Sequence, residues 1–283
     1  MKLKSLIPVI LLSSLFSFGC STKSNTNIEN KINNNSKGIV SLTSITADIV
    51  YTLDPNLLIG IPGSSILRKN KYLENIPKIS EGRTPPNLEK IISLNPKLVI
   101  GSEGFHDKTL SKLDELGIDV LKTKVNSWND LTSLINKISE ITNVNSQKVL
   151  EKLNACFKEA TLKNKKVVVL VSTKPLLSPN NSSWAGSLLE KYNLKNLTAN
   201  LEGQGRMKGY LNLSPEWLIK EQPDNLILIK FGNEQYNQYN NLPFWNDLIA
   251  VKNNNINYFD YYGLINLGSL NSINKTCEKL ESL

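Results

Sequence analysis

SQKVLEKLNACFKEATLK, residues Ser146 to Lys163, is the stretch whose reading decides the fold. Val149, Leu150, Leu153, Cys156, Phe157 and Ala160 recur at helical spacing, while Lys148, Glu151, Lys152, Lys158 and Glu159 fall mostly on the opposite face. The pattern predicts one amphipathic helix, a strut roughly 27 Å long at ~1.5 Å per residue. It lies between segments 39–145 and 164–283, each of which reads as a small α/β lobe. A single stiff helix joining two lobes permits tilting and opposes a wide swing.

Working outward, the first lobe carries expected strands at 38–42, 57–61, 77–79, 96–101 and 118–121, with helices at 44–53, 87–94, 108–116 and 127–141. Ser127 and Asp130 are spaced as a capping box, Gly117 reads as a C-cap, and Asn143-Val144-Asn145 interrupts the chain before the strut. The second lobe carries expected strands at 166–172, 224–230 and 256–259, with helices at 186–192, 214–221, 242–249 and 270–283. Alternating strands and helices predict mainly parallel sheets. One internal parallel stands out: NLEKIISLNPKLVIG and SPEWLIKEQPDNLILI each pass from a helix through a proline turn into a buried strand.

The chain of 283 residues is long enough to bury the cores of two ordinary domains. Residues 1–19 read as a secretory leader: Lys2 and Lys4 precede an apolar run from Leu6 to Phe18, too short to span a membrane comfortably. Cys20 after Gly19 resembles the lipobox of bacterial lipoproteins, with Ser17 where leucine is usual. The resemblance implies a diacylated thiol and a lipid anchor outside the cytoplasmic membrane. Residues 20–38, rich in Asn, Ser and Lys, read as a flexible tether. The formal charge of +8 falls to +6 without Lys2 and Lys4, and the lysines are dispersed among asparagines, which reads as a solvated surface and not a nucleic-acid face. Cys156 and Cys277 either pair, as an oxidising compartment permits, or remain two buried thiols.

PNLEKIISLNPKLVIG resembles a signature of the periplasmic binding proteins that deliver iron–siderophore complexes, haem and cobalamin to ABC importers. IVSLTSITADIVYTL, GSLLEKYNLKNL, LNLSPEWLIKEQPDNLIL and LPFWNDLIAVKNNNINYFD follow in family order, and together they cover nearly everything after the tether. The resemblance implies two α/β lobes joined by one long helix, a ligand cleft between them, and a monomer that meets a permease dimer with its ATPase. It further implies that Glu89 and Glu216, one on each lobe, dock into arginine pockets of that permease.

Loops at the carboxyl ends of parallel strands are where such sheets present ligands. In those loops Arg83 and Arg206 are the candidates for an anionic chelate, and Trp184, Tyr261 and Tyr262 the candidate flat faces for a large ring. The loop Pro62-Gly63-Ser64-Ser65-Ile66-Leu67-Arg68 departs from the cobalamin receptors, and so does the region near Gly82-Arg83, where their stacking tryptophan is replaced. This favours a ligand with carboxylate or catecholate oxygens, an iron chelate before cobalamin or haem. With His106 as the lone histidine, neither a bare-metal site nor an imidazole base for a hydrolase is assembled, and G-x-S-x-G and H-E-x-x-H are missing from the sequence. No catalytic residue, metal ligand or cofactor is expected. The rivals are a hydrolase, or an exported adhesin or sensor on the same fold.

Overall fold

The parallel sheets follow from how the apolar strands alternate. The computed structural model describes residues 38–82, 84–154, 156, 164–203, 208–231 and 236–283. The expected leader, Cys20 and all of the expected tether but Gly38 lie outside these residues, as do Arg83 and Arg206. The first sheet comprises β1 (Ile39–Ser41), β2 (Leu58–Gly60), β3 (Leu98–Ser102) and β4 (Asp119–Thr123), all parallel, in the order β2-β1-β3-β4. The second half contributes β5 (Lys166–Leu170), β6 (Ser172–Thr173), β7 (Leu176–Pro179), β8 (Lys195–Asn196), β9 (Tyr210–Leu213), β10 (Asn225–Lys230) and β11 (Ile256–Asp260). Its main sheet is parallel in the order β11-β10-β5-β8, and β6-β7-β9 form a small antiparallel sheet beside it.

Both parallel sheets are covered on both faces, so their strands read as continuous apolar runs. Within each run, alternate residues enter different cores. Ile39, Leu98 and Ile100 of the first sheet and Val167, Val169, Ile227 and Ile229 of the second enter one shared core. Val40 and Val99 face a separate outer core with Ile91, Leu110 and Leu113. Val168, Leu170, Leu226 and Leu228 face another, with Leu218, Trp245 and Leu248. The two halves therefore meet through apolar packing on the inner faces of their sheets.

Helices Ser44–Leu53, Trp128–Thr142, Gln147–Asn154, Trp184–Lys191 and Leu270–Glu281 fill that shared core. Helix Trp128–Thr142 is fixed locally at both ends. The Ser127 hydroxyl accepts the Asp130 N–H at 3.1 Å while Asp130 accepts the Asn126 N–H at 3.0 Å, and Asn143, with φ 54°, ends the same helix in the left-handed region. Three contacts stitch the halves together. Trp128 stacks on Trp184 with centroids 6.0 Å apart. Asp48 Oδ2 accepts the Leu270 N–H at 2.7 Å. A disulfide joins Cys156 to Cys277 with Cα atoms 5.3 Å apart, within the span such bonds require, and so resolves the cysteine alternatives in favour of pairing.

The expected strut is seen as Gln147–Asn154, preceded by Ser146, and of its remainder residues 155 and 157–163 lie outside the described residues. Expected strand 77–79 is reduced to a single bridge between Ile61 and Lys78. Expected helix 242–249 is instead a short turn of 3₁₀ helix, Trp245–Asp247, and a new helix, Ile249–Lys252. The break falls at Leu248, where Gln222 Oε1 takes the Ile249 N–H at 2.8 Å in place of a backbone carbonyl. The antiparallel sheet departs from the sequence expectation, because its strands are two to four residues long and β7 follows Pro175 and ends in Pro179, which read as loop.

Candidate functional site

Parallel register places three aromatic rings together at the carboxyl edge of the second sheet. Lys230 at the end of β10 pairs with Asp260 at the end of β11, so the next residues, Phe231 and Tyr261, emerge side by side. Their ring centroids are 4.9 Å apart, and Tyr262 meets Tyr261 edge-on at 5.4 Å. Tyr210, the first residue of β9, is close enough that burial and Tyr261 push its phenol above the usual tyrosine range. Phenols so shifted stay protonated at neutral pH and keep an O–H to donate.

Glycine fixes the turn that carries these rings. Gly263 has φ +104°, and a Cβ there would collide with Thr276 Oγ1 and the Ser272 carbonyl of helix Leu270–Glu281. Its own carbonyl accepts the Trp184 indole N–H at 2.8 Å. The Tyr261–Tyr262 turn is thus clamped between the terminal helix and Trp184.

On the first half, the chain leaves β2 through Ile61 to Arg68. The Ile61 N–H donates to the Pro77 carbonyl at 3.0 Å, the Ile61 carbonyl accepts the Ile79 N–H at 2.9 Å, and the Gly63 N–H donates to Ser80 Oγ at 3.1 Å. A recess of about 230 Å³ opens here, lined by apolar Ile61, Pro62, Leu67 and Leu73 with Ser64, Arg68, Glu74 and Lys78 at its polar side. Ile66 reaches across to the second half. A Cβ built on Gly268 would lie 2.8 Å from Ile66 Cδ1 and 2.9 Å from Tyr262 Cδ1, so the loop after β2 and the turn after β11 touch. Both segments follow the carboxyl ends of their strands. The loop after β3 adds fully exposed Phe105 and a 3.5 Å ion pair between Glu103 and Lys124. His106 Nδ1 accepts the Ser102 N–H at 3.0 Å, and burial lowers its pKa.

Of the sequence candidates, the structure places Tyr261 and Tyr262 together just after β11. It places Trp184 differently: at 3% exposure, stacked on Trp128 and bonded to Gly263, the ring has no open face. Helix Trp184–Lys191 begins two residues before the expected start at 186, which takes Trp184 out of the loop and into the joint, where its apolar bulk is buried. Arg83 and Arg206 lie outside the described residues. Glu89 and Glu216 are both exposed in the first turns of helices Leu88–Ser93 and Pro215–Glu221. Asn87 and Ser214 cap these helices, and the Glu216 carboxyl is held below the usual range by its own N–H and the Ser214 hydroxyl. Sequence reasoning missed Arg68 and Lys78 as neighbours. Arg68 had a usable signal, a cation in the loop that directly follows a parallel strand; Lys78 had none, since only the Ile61–Lys78 bridge brings it there.

Among the described residues, no group of three or more His, Cys, Asp and Glu side chains is arranged to hold a metal ion, and no helix is long and apolar enough to cross a membrane. A family model described as periplasmic binding protein matches residues 39–262. The Fe(3+)-citrate-binding protein YfmC of Bacillus subtilis (strain 168) is 25% identical over 286 aligned positions, covering 90% of this chain and 88% of that protein. An ABC transporter substrate-binding protein from Listeria monocytogenes EGD-e superposes with a TM-score of 0.69 at 19% identity, covering 87% of this chain and 98% of its own. The periplasmic haem-binding protein HutB of Vibrio cholerae superposes with a TM-score of 0.66 at 22% identity, covering 86% of this chain and 98% of its own. At such identities the superpositions establish a shared two-lobed α/β fold.

Proposed function

This chain belongs to the periplasmic binding protein family, and from that premise we propose that it is the exported, lipid-anchored receptor of an ABC importer for an iron chelate. The observation that carries the ligand reading is the contact of Ile66, in the loop that ends at Arg68, with the Gly268 turn beside Tyr262, across which we read two unlike walls. Tyr210, Phe231, Tyr261 and Tyr262 supply flat faces and phenol donors on one side, and Arg68 and Lys78 supply exposed cations on the other. An anionic complex with carboxylate or catecholate oxygens answers both walls, since guanidinium and ammonium neutralise its charge while the rings cover its flat or apolar parts. The name of the Bacillus subtilis relative, an Fe(3+)-citrate-binding protein, supports the same class. Arg83 and Arg206 belong to this reading as further cations of the cleft.

Capture needs no bond chemistry. The chelate enters between the lobes, which close by a small tilt because they share a core, and Glu89 and Glu216 seat the loaded protein on arginines of a permease dimer with its ATPase. Cys20 carries the anchor and the tether to Gly38 gives reach.

The test is a tryptophan-fluorescence titration of the chain from Ser21 onward with ferric citrate, ferric catecholate and hydroxamate siderophores, haem and cobalamin. Trp184 reports on the site through Gly263, the neighbour of Tyr262. Saturable quenching by one ferric chelate, confirmed by calorimetry and weakened at least tenfold in Tyr261→Ala and Arg68→Ala, is the expected result. Binding of haem or cobalamin alone would overturn the ligand class. Charge reversal at Glu89 and Glu216 should abolish uptake and leave affinity intact.

A further inference from the structure

The two helices that carry Glu89 and Glu216 are alike in more than their glutamates. Helix Leu88–Ser93 covers the outer face of the first sheet through Ile91, and helix Pro215–Glu221 covers the outer face of the second through Leu218, both fully buried. Each runs back through a proline turn to feed a central strand, β3 or β10. A helix that feeds a parallel strand in this way begins at the carboxyl edge of its sheet, so both N-termini stand at the edge where the cleft opens. Three residues after each glutamate, on the same helix face, comes an isoleucine that remains exposed: Ile92 at 43% and Ile219 at 37%.

A single exposed isoleucine is ordinary. Here the same order, glutamate, then a buried residue, then an exposed isoleucine, recurs in two segments that share only part of their sequence and lie one on each lobe. Isoleucine is a poorer helix former than the lysine or glutamate that would serve a solvated position. Resting on the reading of Glu89 and Glu216 as docking residues, we infer that the docking footprint is a matched pair of glutamate–isoleucine patches, and that the permease receives each in a cationic socket with an apolar rim. Each carboxylate supplies the charge complement to a socket arginine. The isoleucine beside it excludes water from the ion pair and so strengthens it by lowering the local dielectric. Two like patches astride the cleft fit a partner built from two like subunits, placed where released ligand leaves.

The test places a photo-crosslinking amino acid at Ile92 and Ile219 of the full chain in the cells that make it, with Lys90 and Lys220 as reference positions and Leu116, exposed on another helix, as a negative control. Both isoleucine positions should crosslink to one integral-membrane polypeptide that copurifies with an ATPase, Leu116 should not, and Glu89→Arg with Glu216→Arg should remove the product. Ile92→Ser and Ile219→Ser should each reduce capture on the order of tenfold while ligand titration stays unchanged, which also shows that they fold. Crosslinks from Lys90 and Lys220 without any from Ile92 and Ile219, or equal capture by the serine variants, would overturn the footprint and leave docking by the glutamates standing. Capture that survives charge reversal, or products containing only a second copy of the chain, would overturn the docking reading itself.

Discussion

Reducing or deleting the Cys156–Cys277 bond should cost this protein much of its stability, and the size of the loss follows from chain length. The bond closes a loop with a sequence separation of 121. In the chain-entropy account the unfolded ensemble loses about 16 cal/mol/K on such a closure, which is about 5 kcal/mol at 25 °C. Both sulfurs are buried, so little of that gain is returned as solvation. The assay is urea unfolding of the chain from Ser21 onward, followed by tryptophan fluorescence, for the oxidised protein, the reduced protein and the Cys156→Ala/Cys277→Ala variant. With a urea slope near ~2.5 kcal/mol/M the midpoint should fall by about 2 M. The oxidised chain should also show no reactive thiol when denatured without reductant. Two titratable thiols under those conditions, or a stability difference below about 1 kcal/mol, would refute the reasoning.

Asp48→Ala should destabilise by about 1–3 kcal/mol by leaving the Leu270 N–H without its acceptor, whereas Asp48→Asn should hold stability or raise it. The contrast arises because burial already raises the Asp48 pKa, so its charge is costly at neutral pH and the amide keeps the acceptor without it, a difference that chemical denaturation at pH 7 reads directly. Burial lowers the His106 pKa below 6.5, so the unfolded chain takes up a proton before the folded one does. Stability should therefore fall as pH drops through 6.5 and stop falling, as far as this group is concerned, below its folded pKa; unfolding free energies from pH 7.5 to 5 should show that dependence reduced in His106→Asn. Gly263→Ala should destabilise on the order of 3 kcal/mol and weaken ligand binding, because a Cβ there meets the terminal helix and displaces the Tyr261–Tyr262 turn; thermal melts and the titration above measure both.

The sequence by itself determined the two α/β halves, because strands such as KVVVL and NLILIK, buried on both faces, leave an unbroken apolar run that the intervening amphipathic helices punctuate. It also determined the local caps at Ser127 and Gly117 and the interruption at Asn143, whose hydrogen bonds reach no further than a few residues. The family signature rested on those same short-range patterns in order. Only the tertiary structure decided which aromatic faces the cleft. Trp184 and Tyr261 look alike in a loop of sequence, but one is claimed by Trp128 and Gly263 across the joint and the other is set out by the register of β10 with β11. Nor could sequence pair Cys156 with Cys277, bring Lys78 to Arg68, or bind Asp48 to Leu270, since each contact joins residues whose separation along the chain says nothing of their distance in space. Periodicity reports which side of an element is apolar; what that side meets is set by the packing of all the others.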